Sequence, residues 1–253
     1  PQKDRKQFFS WTNIMAFADD PDIATSLEEA QAASFEVIAY AMALAAEQRK
    51  NPTSTAVQAL LNGEVEGEKM SEELFAWMFI LIMVGGNEST RTAIAHGMRL
   101  LMENPDQLQH LVDHPEDISQ AVEEMLRYNT AFIAMRRTAT QDVEWNGHNI
   151  KKGDKVILHY HAVNHDEDAF GDDAMVFDIH RHKRIPNLRG EIRSFGVGEH
   201  FCLGMSLARL EMNIMFEEII PRLRNAKFAG DTTYMRSYFI NTIKAMPITF
   251  DPQ

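Results

Sequence analysis

Phe195-Gly196-Val197-Gly198-Glu199-His200-Phe201-Cys202-Leu203-Gly204 surrounds the only cysteine in a chain of 253 residues. No intrachain disulfide can form, so the thiol has to be explained by its local chemistry. Gly196, Gly198 and Gly204 permit tight turns and a close backbone approach that a Cβ would block. A helical pattern begins at Cys202, so the positive end of a helix dipole favours the thiolate there and lowers the thiol pKa. That arrangement suits a thiolate held under a flat macrocycle, where sulfur pushes electron density onto iron and favours O–O cleavage. The plainer reading is a structural cysteine in a glycine-rich turn.

Two further constellations carry possible chemistry. Met83-Val84-Gly85-Gly86-Asn87-Glu88-Ser89-Thr90 puts two glycines inside a helical pattern, where each costs up to ~1 kcal/mol against Ala. A kink that makes room for a small ligand would account for that cost, and so would a close helix contact. Glu88 and Ser89, with Thr90 beside them, are an acid and alcohols able to relay protons. Glu124 and Arg127 stand three residues apart, on one face of a helix, and can meet.

The elements that must position these groups are mostly helices. Ser26 with Glu29 forms a capping-box pattern, and apolar residues recur through Ala33, Val37, Tyr40 and Leu44 until Asn51-Pro52 interrupts. Ser71, Glu72 and Glu73 start a long helix that is apolar almost all round from Leu74 to Val84, which predicts a helix through the middle of the fold. Asn104-Pro105 and His114-Pro115 each mark a helix start. The character changes near Ala131. Asn146-Gly147, between Val143–Trp145 and His148–Ile150, predicts a hairpin turn, and Lys152-Gly153-Asp154 precedes a strand over Lys155–Tyr160. From Cys202 to about Leu223 the pattern is helical, with Leu203, Leu207, Leu210 and Ile214 on one stripe, and a β-rich tail runs to Phe250. The expectation is a mainly α chain with a smaller β component. It reads as one domain over 1–253, with a helical part to about 130 and a β-rich part holding the cysteine loop beyond it.

The cysteine loop resembles the signature of the cytochrome P450 family, F-G-x-G-x-H-x-C-x-G, at every fixed position, and Glu124–Arg127 resembles that family's E-x-x-R. The resemblance covers nearly the whole chain. Phe9 to Pro21 and Met235 to Pro247 look like bacterial members that oxidise sterol side chains, terpenoids or branched alkyl chains. It implies the C-terminal, haem-binding portion of the cytochrome P450 fold, with the family's N-terminal part absent. Missing with it would be a propionate-contacting helix and the loop that closes over substrate.

Residue by residue, the resemblance implies haem b with Cys202 as the iron ligand. Phe195, Gly196, His200, Gly204, Gly85 and Gly86 would lie against the cofactor, with His200 and Arg137 reaching propionates. Arg136 is the alternative to Arg137, because neighbouring strand residues face opposite ways. Arg181 would join Glu124 and Arg127 in a structural network. His161 to Asp166 resembles a structural turn of the family. Glu88, Ser89 and Thr90 would form the proton relay, Ser89 standing where Thr is commoner. Val84, Gly85, Ile133, Ala134, Phe239 and Ile240 would line the substrate pocket. The implied reaction is insertion of one oxygen atom of dioxygen into a C–H bond of a lipophilic substrate. Electrons would come from NAD(P)H through a separate ferredoxin or flavin-type donor, since no nucleotide-binding fingerprint is present. A peroxide-driven hydroxylase on the same fold and a haem-binding but catalytically silent fragment are the alternatives.

Composition narrows the rest. The formal net charge of −12 argues against general binding to nucleic acid or anionic membranes. Against that background Arg181, Lys183, Arg184, Arg189 and Arg193 form a basic stretch with one acid, Glu191. It is either a solvated loop or a docking site for an acidic electron donor. There is no apolar run of 18 residues and no signal peptide at this N-terminus, so a reducing cytoplasm is the expected compartment.

Overall fold

In the computed structural model, the described residues are 2–18, 20–23, 26–65 and 67–251. They form two compact units, 1–88 and 89–253. The protein is mainly helical, with small two-stranded antiparallel sheets.

The first unit contains α1 (Arg5–Ala16), α2 (Leu27–Lys50), α3 (Thr55–Leu61), the short strands β1 (Glu64–Val65) and β2 (Glu68–Lys69), and the first half of α4 (Glu72–Glu103). Ser26 caps α2 by accepting the Glu29 N–H at 3.2 Å, and Ser71 accepts the Leu74 N–H at 3.1 Å at the start of α4. Each side-chain oxygen satisfies one of the donors a helix start leaves orphaned. Trp11, Ala33 and Val37 pack with Phe8, Tyr40, Phe79 and Met83 in one apolar cluster, and the Trp11 indole donates to Glu36 at 2.7 Å. The sequence pattern does not reveal α3, whose seven residues are too few for a periodicity. Gln48 sets it up, accepting the N–H groups of Thr53 and Ser54 at 3.0 and 2.9 Å.

The apolar circumference of α4 is covered unevenly in this chain. Phe75 and Ala76 are buried, but Trp77, Leu81 and Ile82 remain exposed, Leu81 by 64%. An apolar circumference is covered only where neighbours exist, and the apolar clusters of this unit take in Leu74, Phe75, Ala76, Met78, Phe79, Ile80 and Met83 but leave those three out.

The second unit continues α4 and adds α5 (Pro105–Asp113), α6 (Ile118–Tyr128), β3 (Ala134–Thr138), β4 (Val143–Trp145), β5 (His148–Ile150), β6 (Lys155–His159), α7 (Tyr160–Val163), α8 (Glu167–Phe170), α9 (Leu188–Glu191), α10 (Met205–Ile219), β7 (Arg224–Phe228), β8 (Thr233–Tyr234), β9 (Ile243–Ala245) and β10 (Ile248–Asp251). Its core joins Leu100 and Leu101 of α4 to Ile118, Val122 and Met125 of α6 and to Met212 and Phe216 of α10. Gly97 is where these helices meet. A Cβ there would stand 2.6 Å from the Phe216 ring and 2.8 Å from the Met125 sulfur, so only glycine fits.

β4 and β5 pair Val143 with Ile150 and Trp145 with His148 across Asn146 and Gly147, whose φ values of 49° and 76° fit the two-residue hairpin turn. β3 pairs with β6, Arg137 opposite Val156. The strand expected to reach Tyr160 stops at His159, because His159 caps α7 by accepting the Ala162 N–H. Among the described residues no helix is long and apolar enough to cross a membrane.

Candidate functional site

The cysteine loop is shaped by its glycines. Gly196 and Gly198 sit at φ 73° and 70°, where a side chain is strained, and a Cβ on Gly196 would meet the Tyr160 hydroxyl at 3.1 Å. The Cys202 N–H donates to the Phe195 carbonyl at 2.9 Å, which closes the loop on itself, and Gly198–His200 forms a 3₁₀ turn inside it. Helix α10 starts at Met205, three residues after the expected start, with the Met205 N–H directed at the Cys202 carbonyl at 3.4 Å. Cys202 therefore still precedes the positive end of a helix dipole.

The apolar stripe of this helix faces outward. Leu203 and Leu207 are 86% and 59% exposed, and Leu210 and Ile214 are exposed too, while Arg209, Met212 and Phe216 form the buried face. Helical spacing alone finds a stripe without saying which side of the helix the core occupies.

The loop rests on a buried polar frame. Arg127 holds Glu124 through two bonds, Nε to Oε2 at 2.7 Å and Nη2 to Oε1 at 2.8 Å, and Arg181 Nε reaches Oε1 at 3.2 Å. All three side chains are fully buried. Burying such charges is tolerable only when every donor is satisfied. Here the remaining guanidinium donors go mostly to main-chain carbonyls. Arg127 donates to Asn164, Ala174 and Val176, and Arg181 to Phe170, Asp173 and Val176, all within 3.0 Å. The Asp178 N–H adds a third donor to Glu124 Oε1 at 3.0 Å.

Three connections from this frame to the loop are absent from the sequence reading. Asn164, fully buried, accepts the Arg193 N–H at 2.7 Å and donates to Ser194 Oγ at 2.7 Å, and Ser194 in turn donates to the Leu126 carbonyl on α6. Arg209 holds Glu123 through paired bonds of 2.7 and 2.8 Å and lies over the Phe195 ring at 4.6 Å. By resemblance, residues 161–166 are a structural turn. That turn matters because Asn164 joins the E-x-x-R helix to the start of the cysteine loop.

The other expected site residues fall into several places. Arg137 is half-buried and Arg136 exposed, as strand alternation requires, and Arg137 Nη1 donates to the Arg136 carbonyl. Arg137 forms no ion pair among the described residues, so its charge is available to an anionic group. His200 is exposed. Ile133 and Phe239 are joined by a 3.0 Å backbone bond, Phe132 bridges to Ile240, and the Phe132 and Phe239 rings lie 4.9 Å apart. Ala134 opens β3 beside them, whereas Ile240, 1% exposed, can back a pocket wall but not touch a ligand. Asn241 fixes this segment, donating from its side chain to Asn129 at 3.0 Å while its carbonyl meets His96 Nε2 at 2.7 Å.

Helix α4 runs unbroken through Val84, Gly85, Gly86, Glu88, Ser89 and Thr90. Among the described residues, Cβ atoms on Gly85 and Gly86 would meet nothing within 4 Å. The close contact belongs to Gly97 instead. Glu88 is fully buried and accepts from the Asn87 amide at 3.0 Å, and that amide also donates to Thr12 Oγ1 at 2.7 Å. Thr90 is buried.

The basic stretch is largely neutralised, which the sequence does not reveal. Arg181 is internal, Arg184 pairs with Asp173 and Asp178 at 2.6 Å each, Arg193 lies 3.8 Å from Glu191, and Arg189 stands 4.0 Å from Glu123. Lys183 makes no ion pair among the described residues.

This geometry can be set against known proteins. The cytochrome P450 family model matches residues 118–233. A steroid C26-monooxygenase of Mycolicibacterium smegmatis is 37% identical over 251 residues, covering 99% of this chain and 56% of that protein. A methyl-branched lipid omega-hydroxylase of Mycobacterium tuberculosis is 38% identical over 251 residues, covering 99% and 57%. The crystal structure of P450BioI, in complex with an acyl carrier protein ligated to hexadec-9Z-enoic acid, is similar at a TM-score of 0.89 and 31% identity, over 99% of this chain and 63% of that one. The chain is thus similar to cytochrome P450 proteins over nearly its whole length. It spans somewhat over half the length of the relatives it matches.

The residues present suit the family's haem. A partly exposed thiol stands on a loop braced from beneath, ahead of a helix N-terminus, with outward apolar side chains at Val197, Phe201 and Leu203 to lie against a flat apolar ring.

Proposed function

We propose that this chain is the haem-binding part of a monooxygenase that inserts one oxygen atom of dioxygen into a C–H bond of a lipophilic substrate. The observation that carries the reading is the closed, glycine-shaped loop that holds Cys202, tied at its start through Asn164 to the buried Glu124–Arg127–Arg181 frame. Cys202 would bind the iron, and Arg137 and His200 would bind the propionates. When bound, haem with a thiolate ligand supplies the activation of dioxygen. The chain's own part is to hold the sulfur fixed, to leave room beside Gly85 and Gly86, and to provide Glu88, Ser89 and Thr90 as acid and hydroxyl groups that move protons. Ile133, Ala134 and Phe239 would offer the substrate an apolar surface, with Ile240 behind it. The relatives named for steroid and methyl-branched lipid oxidation favour a sterol side chain or alkyl chain as substrate. Electrons would arrive from NAD(P)H through a ferredoxin or flavin-type donor. Among the readings drawn from sequence, the acid and alcohols on α4 favour dioxygen over peroxide as oxidant, because a peroxide user has less need of a proton relay. The test is a carbon monoxide difference spectrum of the reduced protein. The red-shifted Soret band of a thiolate ligand is expected, and Cys202→Ala should abolish it. A normal band in that variant would overturn the assignment.

A further inference from the structure

Away from the cysteine loop, three side chains with metal-binding donors converge. His110 comes from the last turn of α5, Asp117 from the 3₁₀ turn Pro115–Asp117, and His180 from the turn just before Arg181. One donor atom from each lies within 4.8 Å of the others, and all three residues are half-buried. His110 Nε2 and Asp117 Oδ2 are 2.7 Å apart, and the His180 ring stands edge-on to the His110 ring at 4.5 Å. The His114 ring is stacked on His110 at 4.7 Å.

We propose that His110, Asp117 and His180 bind a divalent transition-metal ion of the zinc class. Two imidazoles and a carboxylate are a donor set that such ions take, with water completing the coordination. A simple His–Asp contact would explain His110 and Asp117 but leaves His180 unexplained. The Nδ1 atom of His180 is buried and has no hydrogen-bond partner among the described residues. A buried nitrogen in that state lacks a partner that a bound ion would supply.

The donors are also well supported. The His180 N–H is held by Asp178 Oδ1 at 2.9 Å, and the Asp178 N–H reaches Glu124. Pro105 and Pro115 fix the backbone where α5 and the 3₁₀ turn begin. A bound ion would tie α5 to the turn that carries Arg181, and so brace the frame under the cysteine loop from its outer side. Lys183, three residues beyond His180, opposes a cation here, so the site should hold its ion less firmly than a closed structural zinc site.

The test uses the chain as purified, freed of metal by a chelator. Zn²⁺ is titrated in competition with a chromophoric chelator, and Co²⁺ is added separately as a spectroscopic probe. One equivalent of ion should bind and raise the melting temperature. Co²⁺ should give d–d bands without the near-ultraviolet thiolate band that would mark capture by Cys202. Asp117→Asn and His180→Gln should each weaken binding at least about tenfold while leaving the metal-free melting temperature within a few degrees. His161→Gln, in the neighbouring histidine pair with His165, should leave binding unchanged. Absence of binding, a thiolate band, or unchanged affinity in His180→Gln would each overturn the proposal. If His180→Gln does not fold, His110→Gln takes its place under the same criteria.

Discussion

Arg209 lies over the ring of Phe195, 4.6 Å from its centroid, at the residue whose carbonyl receives the Cys202 N–H. The same guanidinium holds Glu123 on α6, so a single side chain of α10 supports the base of the cysteine loop and ties it to the neighbouring helix. Eighty-six residues separate the two charges, and nothing local in the sequence pairs them.

Removing one partner of this buried pair leaves the other charge uncompensated. Arg209→Met should destabilise the chain by roughly 3–5 kcal/mol in chemical denaturation. The double variant Glu123→Leu/Arg209→Met should lose markedly less than the two single losses summed, with a coupling of at least about 1 kcal/mol. Additive losses would mean that the pair is not a unit.

His96 gives a pH signature. Burial pushes its imidazole down to about 4, with the Arg99 charge adding to the effect and the bond to the Asn241 carbonyl opposing it. The folded chain therefore refuses a proton that the unfolded chain takes up below the ordinary value of 6.5. Stability should be full above about pH 6.5 and fall as pH drops toward 4, by roughly 3 kcal/mol from this residue. Aspartates 173 and 178 have pKa values held below the usual carboxylate value, so their stabilising contribution is lost at lower pH. Denaturant midpoints from pH 7 to 4.5 should slope in the parent chain and less steeply in His96→Gln, where His161, also pushed down to about 4 by burial, keeps part of the slope. Equal slopes would place the proton uptake elsewhere.

If Ser89 relays protons, Ser89→Ala should uncouple turnover rather than weaken substrate binding. Product formed per NAD(P)H consumed should fall several-fold, while substrate affinity changes by less than about twofold. A collapse of affinity with unchanged coupling would make Ser89 a binding residue.

Donor docking now rests on fewer charges than the sequence offers, because Arg181 and Arg184 are already paired. Lys183→Glu/Arg189→Glu should slow the first electron from an acidic ferredoxin at low salt. The difference should shrink as the Debye length falls toward ~8 Å at physiological ionic strength. Arg184→Gln should alter stability more than reduction rate. Identical salt profiles for parent and double variant would remove this loop from the docking surface.

What could be read from the sequence was what local spacing encodes. Cys202 with its glycines, the Ser26 cap, the Asn146-Gly147 turn and the Glu124–Arg127 pair all depend on residues a few positions apart. Arg181 came from family resemblance. Glu123 with Arg209, Asn164 with Ser194, and Gly97 against Phe216 escaped notice because each joins distant segments through contacts that have no period. The pairing of charge is hidden for the same reason. Arg184 looks free beside Lys183, yet its carboxylates stand six and eleven residues away across a turn.

Val176 shows how differently one position can respond to two kinds of genetic change. Its carbonyl receives both Arg127 and Arg181, yet its own side chain is exposed. Replacing that side chain alters nothing either arginine touches, so a substitution library should accept most residues at this position. Inserting or deleting one residue between Ala174 and Asp178 would move the carbonyl out of reach of both guanidinium groups. Natural variants of this segment should accordingly differ freely in spelling and hardly at all in length.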